Sequence, residues 1–424
     1  MQAERYDRFG QGRLLIFCPK TLIKSAWGND FERFAPRRSV ALAYATNRER
    51  AFAMGTDVVI TNIDAVKWVL QQLKRNKRFL DQFSDLVIDE ITAFKHHGSA
   101  RSKAMKAVSK HFAYRYGLTA TPNPNSVTEL HHQALIIDDG KRLGPSYYHF
   151  RNSVQVPEQV GPLPQHLAWS DKPGAEMAVT QLLADITIRH DFDDVMTHVP
   201  PNHRHFKTYA LPARLRAQYE KLERDAFLRL TDGAVTAVHK ASLRNKLLQL
   251  CSGAVYGETD EEGKGDYHLL DAGRYELILD LTEAVPYSVV FFNWRHQREQ
   301  LLLEAARRDL YFAVLDGGTK DSERDGIVQR FQDGQYDVLF LHPKTGAHGL
   351  TLTASEQVIF SSPIYEADYL KQGIARIRRG VQDKVTNTIF VEAEGTIERQ
   401  VYERVGGKES RMVDFLDILR ERRS

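Results

Sequence analysis

The 424-residue sequence has few cysteines: only Cys18 and Cys251, far apart along the chain. That excludes a disulfide framework and a cysteine-based zinc site, and both thiols are expected in the core. No stretch approaches the ~18 uninterrupted apolar residues of a membrane span, and the start, MQAERYDRFGQGR, is too polar for a secretory signal. No membrane partner and a cytoplasmic location are therefore expected. Charge of one sign is also lacking, with 58 Lys and Arg against 55 Asp and Glu. A net charge of +3 neither demands nor excludes nucleic acid, because a local basic groove can bind phosphates on a near-neutral protein. Nowhere does the chain contain G-x-x-x-x-G-K-[ST]. The Gly-Lys pairs at Gly140, Gly263 and Gly407 continue with Arg, Gly and Glu, and none opens a helix after a strand.

What is present is a repeated alternation of short apolar runs with amphipathic segments. RLLIFCP (13–19), DVVITN (57–62), DLVIDE (85–90) and YRYGLTAT (114–121) come first. A second series follows: YSVVFFNW (287–294), YFAVLDG (311–317), YDVLFLHP (336–343), EQVIFSS (356–362) and TNTIFVEA (386–393). Runs that are continuous rather than alternating suit strands covered on both faces, hence parallel sheets. The fold class expected is α/β, with two tandem parallel-sheet domains and a cleft between them. Their expected extents are 1–150 and 271–400. A connector with helical segments would fill 151–270, where breakers such as QVPEQVGPLPQH and HVPPNHRH occur, and a charged helix 401–424. GETDEEGKGDYH (257–268) reads as an exposed loop.

Chemistry is carried by two constellations. Asp89 and Glu90 end the third apolar run, and GLTATP ends the next, with hydroxyls at Thr119 and Thr121. Alone, Asp-Glu after a strand reads as a helix cap. Beside the Thr-Ala-Thr loop it suits a Mg²⁺-nucleotide, one carboxylate serving the metal and the other polarising water. In YLKQGIARIRRGVQDK, Gln372, Arg376 and Arg379 follow one another at spacings of four and three, so they are expected on one helical face. Such a face can bring guanidinium groups to a γ-phosphate. It follows HPKTGAHGLTLTAS, a Gly- and Thr-rich loop suited to phosphate or ribose.

In this order, the segments resemble the motifs of superfamily-two helicase-like ATPases, most closely the Swi/Snf-type branch in its short phage form. LLIFCPKTLIKSAWGNDFERFAP resembles motif Ia with its following tryptophan, VVITNIDAV motif Ib, VIDEITAFKHHGSARSKAM motif II and GLTATP motif III. VVFFNW is similar to motif IV, and VLDGGTKDSERDGIVQRFQ to the stretch after it. HPKTGAHGLTLT is similar to motif V and QGIARIRRGVQ to motif VI. The match runs from about residue 13 to 395. It implies RecA-like domains, ATP and Mg²⁺ as cofactors, and nucleic acid, most readily double-stranded DNA, as partner, in a bacterial or phage-infected cytosol. It also implies Asp89 as the Mg²⁺ carboxylate, Glu90 as the water-activating base, and Arg376 and Arg379 as arginine fingers. Gln372 and Gly349 would line the nucleotide cleft, with Thr119 and Thr121 coupling it to the nucleic acid. Lys20, Thr21, Thr61, Asn62, Lys344, Thr345 and Gly346 match positions that touch the phosphodiester backbone, although each taken singly reads equally well as an ordinary loop residue.

The departures from the family pattern are specific. Motif I, the phosphate loop, is absent, so the first domain is expected to be truncated just downstream of that strand and loop. A split gene with the loop on a separate polypeptide, a misassigned start and a non-hydrolysing nucleic-acid-binding relative all remain open accounts. Motif II reads Asp-Glu-Ile-Thr, and Arg378 stands where relatives often carry His. The expected function is an ATP-dependent DNA translocase or helicase needing a phosphate loop from elsewhere. The alternative is a nucleic-acid-binding scaffold without catalysis.

Overall fold

The computed structural model describes residues 12–403, except 121, 123–125, 160–166, 191, 232–244, 260–264, 347–349, 365–366 and 380–381. Its chain divides into two units between Arg189 and His190.

The first unit is built on five parallel strands: β1 (Arg13–Cys18), β2 (Val40–Ala43), β3 (Val58–Asn62), β4 (Phe83–Asp89) and β5 (Tyr114–Leu118). They lie in the order β2-β3-β1-β4-β5, with Leu15 opposite Val59 and Leu86 on either side. Leu15, Phe17, Val59, Leu86 and Ile88 face one cluster with Val66, Val69, Met105 and Val108 of the covering helices. Leu14, Ile16, Val58, Ile60 and Val87 face the other, with Ile23 and Leu22. This two-sided burial is why the strands read as unbroken apolar runs. The chain leaves β1 toward β2 and leaves β4 toward β5, so the connections diverge between β1 and β4. Such a switch point opens a crevice at the carboxyl ends of the strands.

The unit continues into an antiparallel hairpin, β6 (Gln155–Gln159) with β7 (Leu167–Asp171). Residue 150 therefore marks no boundary; it lies inside the helix Tyr147–Val154, whose Phe150 and Val154 pack with Val127, Val179 and Leu183.

The second unit carries six parallel strands: β8 (Asn202–Tyr209), β11 (Ser288–Phe291), β12 (Phe312–Leu315), β13 (Val338–Leu341), β14 (Gln357–Phe360) and β15 (Thr386–Ala393). Their order is β12-β13-β11-β14-β15-β8. The first five repeat the path of the first sheet strand for strand, with a second switch point between β11 and β14. β8 is the departure from expectation. Its polar, exposed sequence NHRHFKTY belongs to the segment read as a connector, yet it pairs in parallel with β15 along its full length, from Asn202 opposite Thr386 to Tyr209 opposite Ala393. An edge strand exposed to solvent need not be apolar. The segment 257–268, read as a loop, contains the end of β9 (Ala254–Thr259) and most of β10 (Gly265–Leu269), an antiparallel hairpin.

Arg274 and Glu398 tie this unit together. The guanidinium donates to both carboxylate oxygens, at 3.1 and 2.6 Å, and to the Ser361 carbonyl at 2.8 Å, with both side chains buried. Cys18 and Cys251 are free and buried, as expected of core thiols. Among the described residues no helix is long and apolar enough to cross a membrane. The charged segment expected as helix 401–424 lies outside the described residues from 404 onward.

Candidate nucleotide and nucleic-acid site

Because the first sheet is parallel, the ends of β1, β3, β4 and β5 place Lys20, Asn62, Asp89 and Thr119 along one edge. Asp89 is the last residue of β4 and sits opposite Leu118 of β5. Its carboxylate accepts from the Glu90 backbone N–H at 3.0 Å through Oδ1 and from the Trp27 indole N–H at 2.8 Å through Oδ2. Both donors are neutral. Burial raises the Asp89 pKa, against the lowering effect of those two hydrogen bonds. The same burial, with Asp89 next to it, pushes the Cys18 thiol far up, so it stays protonated and inert.

Glu90 adopts φ 54°, ψ 55°, the left-handed conformation that a residue with a Cβ seldom takes. The turn leads directly into the short helix Ile91–Phe94, whose Ile91 and Phe94 are buried. Downstream, Ser99 caps the helix Ala100–Ser109 by accepting from the Ser102 backbone N–H at 3.1 Å, and the Ser102 hydroxyl donates to the Phe94 carbonyl at 3.0 Å. Lys95 pairs with Glu129 at 2.9 Å. The hydroxyls and the lysine after motif II therefore hold the acidic turn in place.

A half-buried carboxylate at a switch point, fixed by neutral donors, fits a divalent cation. Among the described residues no group of three or more His, Cys, Asp or Glu side chains could hold a metal. A cation at Asp89 would therefore complete its shell with phosphate oxygens and water, which is the habit of Mg²⁺.

In the second unit the helix Ala367–Ile377 ends two residues before Arg379, so Gln372, Arg376 and Arg379 do not share one helical face as the spacing suggested. The two guanidinium groups converge all the same, on the Leu350 carbonyl, from Arg376 at 3.3 Å and Arg379 at 3.5 Å. Arg378 instead donates to the Pro200 carbonyl at 3.3 Å. Burial lowers the Arg379 pKa, and its Nε, like Gln372 Oε1, is buried without a hydrogen-bond partner. A half-buried guanidinium whose Nε lacks a partner suits an anion. Thr121 and Gly349 lie outside the described residues.

Of the residues matched to backbone contacts, Lys20 and Lys344 are exposed. Thr61 corrects the expectation in one respect: its side chain is fully buried and its hydroxyl donates to the Ala43 carbonyl at 3.0 Å, so it cannot reach a phosphate. Gly346 is buried, and a Cβ there would lie 2.8 Å from both Leu341 and Phe291 side-chain atoms, so its glycine answers to packing. Asn62 accepts from Arg48 Nη2 at 2.9 Å, which adds Arg48, unnoticed in the sequence, to this edge. Trp27 was also missed as a site residue. Its signal was its place as the tryptophan that follows the motif Ia resemblance after the first strand.

The chain matches known families along most of its length. A SNF2-related domain matches residues 3–252, and a Helicase conserved C-terminal domain matches residues 273–380. Protein p41 of Acyrthosiphon pisum secondary endosymbiont phage 1 is 26% identical over 93% of this chain and 85% of its own length. The Mus musculus chromodomain-helicase-DNA-binding protein 1-like is 25% identical over 94% of this chain. The chain spans only 44% of that longer relative. A solved Sulfolobus solfataricus SWI2/SNF2 ATPase core in complex with dsDNA aligns over 97% of this chain and 84% of its own, at 19% identity and a TM-score of 0.40. With the SNF2-related match covering more than half of its residues, the chain belongs to the Swi/Snf-type branch of the superfamily-two helicase-like ATPases.

Proposed function

We propose that the protein is an ATP-dependent translocase or helicase acting on double-stranded DNA. The observation that carries this reading is the acidic turn at the end of β4: a half-buried Asp89 carboxylate held by neutral donors, followed by Glu90 in a left-handed conformation. Strained backbone of this kind persists where the surrounding fold holds it, and it clusters at catalytic sites. Membership of the family and the murine relative's name support DNA as partner.

Bound Mg²⁺-ATP would supply the electrophilic phosphoryl group. Asp89 is the carboxylate that would hold the cation. Glu90 accepts the proton of the attacking water at its carboxylate, and the guanidinium groups of Arg376 and Arg379 stabilise the charge that develops on the phosphate oxygens. Thr119 and Thr121 couple the nucleotide to the nucleic acid, while Gln372 and Gly349 line the nucleotide site. Lys20, Thr21, Asn62, Lys344 and Thr345 contact the phosphodiester backbone through charge, hydroxyl or main-chain groups, which gives sequence-independent binding. Since the 424 residues contain no G-x-x-x-x-G-K-[ST], the reading requires a phosphate loop on another polypeptide segment. The double substitution Asp89→Ala, Glu90→Ala is the test. It should abolish DNA-stimulated ATP hydrolysis of the assembled enzyme, and hydrolysis at the wild-type rate would refute the reading.

A further inference from the structure

The indole of Trp27 reaches from the segment after β1 to the end of β4, across the switch point of the first sheet. It stands on a six-residue π-helix, Ile23–Gly28, a rare form that often marks functional sites. The segment is tightly set. Ile23 and Gly28 are buried, a Cβ on Gly28 would lie 3.1 Å from the Ile23 carbonyl oxygen, and the Trp27 ring stacks on Phe31 at 6.4 Å. An indole has one donor and no acceptor, so its N–H serves Asp89 alone.

We propose that Trp27 is a positioning residue for the cation carboxylate, fixing Asp89 through Oδ2 while the Glu90 backbone N–H fixes it through Oδ1. This rests on the proposed role of Asp89. With one hydrogen bond on each oxygen the carboxylate cannot swing, and each oxygen keeps a second lone pair for a cation or its water. A lysine or arginine in place of the indole would also hold the carboxylate, but it would neutralise the charge a cation needs. The indole orients the group and leaves the charge in place. Partners of this kind commonly change metal affinity by roughly 10–100-fold.

The probe is Mn²⁺ with ATP, titrated into the full chain together with a phosphate-loop polypeptide, with bound ion followed by electron paramagnetic resonance. Trp27→Phe, which keeps a ring and loses the N–H, should weaken binding by roughly tenfold, and Trp27→His, which restores an N–H, should recover most of it. Unchanged Mn²⁺ affinity in Trp27→Phe, with Asp89→Asn impaired, would overturn the proposal and spare the role of Asp89. Unchanged affinity in Asp89→Asn would overturn both. A second readout does not depend on the Trp27 variants folding. Of the indole N–H resonances from the four tryptophans, one should shift strongly in Asp89→Asn. If none moves, the bond is absent and the proposal fails.

Discussion

Glu90 donates its backbone N–H to the side chain of Asp89 at 3.0 Å while holding φ at 54°, so a single left-handed turn sets both carboxylates. The conformation costs a residue with a Cβ of the order of 1 kcal/mol, which glycine would largely escape. Glu90→Gly should therefore stabilise the first unit by about 0.5–1 kcal/mol in denaturant unfolding while abolishing hydrolysis. Glu90→Gln should abolish hydrolysis with no such gain.

Arg379 should show the same opposition between stability and activity. Its guanidinium is half-buried and its Nε lacks a partner, so Arg379→Met should leave thermal stability unchanged or raised. Hydrolysis should drop by roughly 10³-fold, the lower end of what an arginine finger contributes. Single-turnover ATP hydrolysis with DNA present checks the second part, and calorimetry the first.

Arg274 and Glu398 present a different case, a fully buried ion pair in which the guanidinium donates to both carboxylate oxygens. Glu398→Ala would strand the guanidinium and should destabilise the second unit by about 3–5 kcal/mol. Unfolding followed by tryptophan fluorescence should show the effect through Trp294, whose side chain packs against the core of this unit.

His296 gives the second unit an acid limit. Its ring nitrogens engage Ser252 Oγ at 2.9 Å and Tyr256 Oη at 3.0 Å, and burial lowers its pKa from 6.5 to about 3. The folded value lies below the unfolded one, so the unfolded chain takes up a proton that the folded one refuses. Stability is complete above pH 6.5 and is lost as pH falls toward 3. At pH 5 this one group should cost about 2 kcal/mol, and His296→Gln should flatten the dependence in a series of urea midpoints.

Phosphate contacts predict a salt signature. Lys20→Ala and Lys344→Ala should each weaken DNA binding uniformly across sequences and reduce the slope of log K against log[salt] by about 1. Thr61→Val should leave that slope unchanged, because its hydroxyl is turned inward.

Much of this was legible in the sequence. TNTIFVEA matches β15 end to end, and RLLIFCP and DVVITN overrun β1 and β3 by one residue each, because strands buried on both faces must be written as apolar runs. β8 was not legible: its stability comes from backbone pairing with β15, which leaves no trace in the side-chain pattern of NHRHFKTY. The acidic pair was readable as residues, but the left-handed turn at Glu90 was not, since nothing in Asp-Glu-Ile-Thr announces positive φ. The convergence of Arg376 and Arg379 was expected for a helical reason and arises from a chain that has already left the helix. The Trp27–Asp89 bond joins residues 62 apart, and no local pattern could state it.

The central claim is that Glu90 activates water for DNA-stimulated ATP hydrolysis. The most direct test is steady-state hydrolysis by this chain with a phosphate-loop polypeptide supplied in trans, with and without double-stranded DNA, compared with Glu90→Gln. The account predicts hydrolysis that rises with DNA and falls to background in the variant. Hydrolysis at equal rates in the two proteins would contradict it, as would DNA binding with no hydrolysis in either.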